Sequence, residues 1–165
     1  MRRKTAARGA NVLATGLVLT ATMLAPAHSA SVATHYGVLI TTESGDLAVD
    51  GKMLPPRIGS HHLDFVKVFR FRGSDEILVR NMDLGTSAEA MYYLVRLSAT
   101  GATCSDAFGT GAQATAASQN GDAVILRMPG YLGHTTPAAI RAAARERHVF
   151  RVVNGLVTED GKPAQ

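Results

Sequence analysis

The chain is 165 residues long and carries 17 Lys and Arg against 13 Asp and Glu, with one Cys, no Trp and 5% aromatic residues. A single Cys excludes an internal disulfide framework, 46% apolar against 18% charged residues excludes a disordered composition, and the length favours one domain. The formal charge of +4 invites an anionic partner such as nucleic acid or a membrane surface, so the position of that charge matters first.

The chain opens with Arg2, Arg3, Lys4 and Arg8 and no acid, followed by an apolar run from Val12 to Leu24, then Pro26 and the small-residue stretch Ala27-His28-Ser29-Ala30. A basic n-region, a short apolar core and an A-x-A-like site predict a secretory signal peptide over residues 1–29, cleaved near 29 or 30. The run is shorter than the roughly 20 apolar residues a spanning helix needs, and Thr15, Gly16, Thr20 and Thr22 dilute it. Nothing after Arg2-Arg3 resembles a twin-arginine signal, and no Cys follows the apolar core for lipid attachment. No second apolar run reaches spanning length, so the mature chain is expected to be soluble, without a transmembrane segment, in the periplasm or the medium. The leader contains four of the 17 basic residues and no acidic one, which leaves 13 of each sign in residues 30–165. A chain of zero net charge lacks the general phosphate-neutralising charge that nucleic-acid binding requires, and no nucleic-acid partner is expected.

Residues 30–165 are predicted to form a single β-rich domain. Tyr36 to Thr41 reads as a first strand. Leu47-Ala48-Val49 runs into Asp50-Gly51, a favoured tight hairpin turn, and Lys52 to Leu54 leaves it, stopped by Pro55-Pro56. Leu63 to Phe71 alternates, with Leu63, Phe65, Phe69 and Phe71 on one face and Lys67 as the exception. It turns at Gly73-Ser74-Asp75 and returns over Glu76 to Asn81. Met91 to Ser98 is the next strand, and Gln113 to Ser118 a weaker, Ala-rich one. Asn120-Gly121 leads to Ala123–Met128. Thr135 or Thr136 can cap a helix with Pro137 in its first turn and Ala138 to Arg147 in its body, presenting Ile140, Ala143, Ala144 and Arg147 on one face. Val149 to Val153, Asn154-Gly155 and Leu156 to Glu159 form the clearest hairpin. The fold class is mainly antiparallel β, a β-sandwich or an open barrel-like meander, with one helix in the C-terminal half.

Motifs of known chemistry are sparse. There is no Gly-x-Ser-x-Gly elbow, phosphate-binding loop, dinucleotide fingerprint or EF-hand spacing, and no cofactor is expected. Cys104 needs a base to act as a nucleophile, and the spacing of His61, His62, His134 and His148 selects none of them; an inert thiol is the simpler expectation. His61-His62-Leu63-Asp64 is the densest run of potential ligands. Neighbouring side chains on a strand point to opposite faces, so His62 and Asp64, two apart, are the candidate metal ligands, short of a third. Asp75-Glu76 and Glu159-Asp160 read as turn acids. The loop Pro129-Gly130-Tyr131-Leu132-Gly133-His134 joins a strand to the helix, where sites often lie. Tyr131 and His134 are candidate ligand contacts there, and Tyr92, with Tyr36, a candidate surface anchor. No catalytic residue is assigned. The expectation is a small exported protein of bacterial type that acts as a non-enzymatic binding or accessory module on another envelope or secreted protein, with its oligomeric state left open. The alternatives are a small hydrolase with a site dispersed over His134, His62, Asp64 or Cys104, whose side chains would have to converge, and a small-molecule carrier, which would need a large apolar cavity.

Overall fold

The computed structural model describes residues 30–60, 62–82, 89–133 and 135–164. The predicted leader lies outside the described residues, as do His61 and His134. The described chain is mostly antiparallel β with one helix, in three sheets. The first sheet is a meander of β1 (Ser31–Thr34), β2 (Gly37–Thr41), β3 (Leu47–Val49) and β4 (Lys52–Met53). The second runs β5 (Leu63–Phe71), β6 (Ser74–Met82), β7 (Ala90–Ser98) and β8 (Gly101–Cys104), with β9 (Phe108–Gly111) also paired to β7. The third runs β10 (Ala116–Asn120), β11 (Ala123–Met128), β12 (His148–Val153), β13 (Leu156–Glu159) and β14 (Lys162–Pro163), with helix α1 (Pro137–Ala143) between β11 and β12.

Turn chemistry sets the registers. Asp50 and Gly51 have φ of 47° and 79°, Asn154 and Gly155 51° and 82°, and Asp160 and Gly161 48° and 81°. Two successive positive φ values are what a two-residue type I′ turn demands, and Asp-Gly and Asn-Gly supply them at least cost. The Asn120-Gly121 signal closes one residue later than expected: Asn120 pairs with Ala123, so Gly121 and Asp122 form the loop.

The second sheet is the middle layer. On one face Leu63, Ile77, Val79, Tyr93, Val95 and Leu97 pack with Leu39, Leu47 and Leu54 from the first sheet and its exit. On the other, Phe69, Leu78, Tyr92, Leu94 and Phe108 pack with Val124, Leu126, Met128, Phe150 and Val152 of the third. The unbroken runs Ile77-Leu78-Val79 and Tyr92–Val95 are buried throughout, as strands covered on both faces must be. The expected mainly antiparallel β fold with one helix is thus built as three sheets, with the second packed between the other two.

The alternation expected over Leu63–Phe71 breaks at a β-bulge. Phe65 pairs with Val79 and Lys67 with Leu78, so Val66 is the extra residue. Leu63 and Phe65 consequently face the first sheet, whereas Phe69 and Phe71 face the third. Lys67, shifted to the latter side, spans the gap: its Nζ donates to the Ala117 carbonyl at 2.8 Å and lies 5.2 Å from the Phe69 ring centroid. The helix starts as predicted, with Thr136 Oγ1 accepting from the Ala139 N–H, but ends at Ala143 rather than Arg147. The Arg147 guanidinium instead donates to the carbonyls of Ala144 and Glu146. Of the expected face only Ala143 is buried; Ile140 is exposed.

Candidate functional site

Among the described residues, a cluster of His148 with three carboxylates lies at the end of the third sheet. The Asn154-Gly155 turn pairs Phe150 with Glu159. His148, two residues before Phe150, therefore shares its face and comes alongside Glu159. The next turn places Asp160 beside them, and its Oδ1 accepts from the Val149 N–H at 3.0 Å, leaving Oδ2 toward the ring. His148 Nδ1 is 2.8 Å from Glu159 Oε1 and 3.8 Å from Asp160 Oδ2. On the far side of the imidazole, Nε2 is 3.3 Å from Glu146 Oε2. Glu146 reaches this position because Gly130 lies beneath it: a Cβ there would sit 2.7 Å from Glu146 Oε2 and 2.8 Å from the Ala143 carbonyl.

One imidazole thus has a carboxylate at each nitrogen. Its burial disfavours the charged ring, but the hydrogen bonds the ring donates to Glu146 and Glu159 and the negative charges of Glu159 and Asp160 outweigh that, and the pKa of His148 is raised. The cluster opens into a hollow of about 760 Å³ lined by His148, Glu159, Asp160, Lys162 and Pro163. The His148 side chain is 25% exposed and that of Glu159 36%, so both are anchored yet reachable from solvent. Among the described residues, His148, Glu159 and Asp160 are the one group of three potential metal ligands whose donor atoms fall within 4.8 Å of each other.

The sequence-predicted site residues lie elsewhere. Tyr92 is 2% exposed, its hydroxyl accepting from the Ala114 N–H at 2.8 Å and its ring beside Phe108. It belongs to the core between the second and third sheets, because its strand is covered on both faces, and it is not a surface anchor. Tyr131 packs over Gly111, where a Cβ would come within 2.6 Å of its ring. Its loop partner His134 is outside the described residues. Asp64 is held by Arg80 Nη2 at 2.7 Å. His62 is exposed, its backbone N–H on Ser60 Oγ, and this pair gains no third ligand among the described residues. Burial, and secondarily the charge of Asp106, push the Cys104 thiol up to about 12, so it remains protonated and unreactive at neutral pH.

Sequence reading left Glu159 and Asp160 as solvated turn acids and His148 unplaced. The signal that joins them was the Asn154-Gly155 hairpin, whose register, counted outward, sets Asp160 beside Val149. No protein-family model matches the chain, and no curated protein or solved structure shows a significant match to it.

Proposed function

We propose that this chain is an exported, non-enzymatic binding module of the cell envelope or secreted fraction, and that it engages another protein or envelope component through the hollow beside His148. The observation that supports this reading is the convergence of Glu146, Glu159 and Asp160 around one imidazole at an open mouth. Carboxylates outnumber cations there, which suits a cationic group on the partner and steers it toward the site. The leader-like residues 1–29 supply the argument for export. No described helix is long and apolar enough to cross a membrane.

The test is cross-linking in envelope and culture fractions of an expressing bacterium, with the native chain and the E159Q/D160N double variant as baits. The native bait is expected to retain one stable partner that the double variant loses. Recovery of the native chain alone in repeated experiments overturns the reading, as does a partner held equally by both baits.

A further inference from the structure

We propose that His148, Glu159 and Asp160 form a site for a divalent cation of borderline softness, with zinc as the type, and that Glu146 is a positioning residue behind the imidazole. The inference rests on the reading of this centre as the binding site and goes further by naming what enters it.

The donor set points to the class of ion. One imidazole nitrogen and two carboxylates suit zinc and its neighbours in the first transition row. Calcium draws on six to eight oxygens and magnesium keeps a near-octahedral oxygen shell, and a ring nitrogen at the centre of the cluster serves neither. The spacing fits as well. Bonds of about 2.0–2.1 Å to a tetrahedral ion set ligand atoms about 3.4 Å apart. The Nδ1 separations of 2.8 and 3.8 Å bracket that value, and all three donor atoms lie within 4.8 Å of one another. Small rotations of two partly exposed carboxylates bring them onto one ion.

Glu146 supplies the feature that separates this arrangement from acids that merely share a turn. It lies at the opposite ring nitrogen, 3.3 Å from Nε2. When an ion takes the place of the proton that Nδ1 shares with Glu159, a carboxylate at Nε2 accepts from the other ring nitrogen and holds the ring with its Nδ1 lone pair on the ion, as the outer partners of metal-binding histidines do. Glu146 comes from the segment after α1, the ligands from β12, the end of β13 and the turn beyond it, so the site joins the helix region to the edge of the third sheet. Three protein ligands leave a tetrahedral ion one open position, directed to the hollow, for water or a donor from the partner.

The test uses the chain purified without an affinity tag, stripped with a chelator and titrated with zinc chloride against a chromogenic competitor. One zinc per chain is expected. E159Q, D160N and H148A should each weaken it about 10-fold or more, and E146Q about 10-fold with the stoichiometry kept. Cobalt(II) should report the same centre by an intense visible band in the native chain, shifted in E146Q, a change that a purely structural role of Glu146 would not produce. Thermal melts identify any variant that fails to fold; E159Q and D160N, whose side chains are partly exposed, carry the test if H148A does not. Zinc held equally well by the H148A/E159Q/D160N variant overturns the proposal, as does calcium displacing zinc at equal concentration. Partner capture that persists in chelator while zinc fails to bind overturns the metal site alone. Zinc bound at this centre with no partner captured overturns the binding-module reading alone.

Discussion

Asp46 and Glu159 both lie at hairpin ends, one beside the first sheet and one on the third, and the chain treats them in opposite ways. Asp46 is 2% exposed and every direction around it is answered: Oδ1 accepts from the N–H groups of Ile58 at 2.7 Å and Gly59 at 3.0 Å, and Oδ2 from Ser44 and from Arg57 Nε at 2.8 Å. The Arg57 guanidinium foremost, together with the other donors, overcomes the cost of burial and holds its carboxyl down to about 2. Glu159 is partly exposed and faces an imidazole and a second carboxylate. An acid surrounded by donors from its own chain fastens a loop. Acids gathered around one imidazole, with lone pairs left toward solvent, can accept something from outside. Asp75 belongs with Asp46: it is buried in β6 and accepts from the His35 backbone N–H at 2.8 Å and the ring Nδ1 at 3.0 Å, tying the first sheet to the second.

The comparison is broken most severely at Asp46. Asp46→Ala removes a carboxylate from a buried ring of donors and is expected to cost about 3 kcal/mol in urea unfolding; a loss within experimental error would mean that the donors find water instead. Asp75→Ala should cost about 1–2 kcal/mol, and a smaller loss would show that the packed apolar residues alone join the two sheets. Acid unfolding sharpens the contrast without a change of side-chain size. The folded-state pKa of Asp46, about 2, is depressed below its ordinary 3.8, so its contribution is fully present above about pH 5 and is lost as pH falls through 3.8 toward 2. Asp46→Asn should flatten that part of the stability profile, and an unchanged slope would assign the acid transition to other groups. Glu159→Gln should move stability by no more than about 0.5 kcal/mol, in either direction. A loss comparable to that of Asp46→Ala would make Glu159 a structural residue.

Much of the fold could be read from local turn chemistry and alternation. β3, β11, β13 and the start of the helix fall where Asp-Gly, Asn-Gly, apolar runs and Thr-Pro place them. Strands without such signals escaped. β8 is Gly-Ala-Thr-Cys and β9 Phe-Gly-Thr-Gly, short segments that hold their place by pairing with β7 rather than by their own propensity. The bulge at Val66 was invisible because an exposed Val satisfies either register, and it divided one apparent face between two cores. The third layer was written in the continuous apolar stretches of β6 and β7, which an alternating reading splits into inner and outer halves. For the site, residue types were visible but their meeting was not, since it depends on a hairpin register carried several residues outward and on a glycine, Gly130, that makes room for Glu146.

The order of the layers along the chain has a consequence for synthesis. The three sheets occupy successive segments, and the middle one is made second. As the chain emerges, the face bearing Ile77, Val79 and Val95 finds its cover already made, whereas Phe69, Leu78, Leu94 and Phe108 wait for the third sheet. A chain halted after β9 therefore shows a bare apolar sheet to its neighbours, the kind of surface on which nascent proteins aggregate. In the folded chain the third sheet closes that face with Val124, Leu126, Met128, Phe150 and Val152.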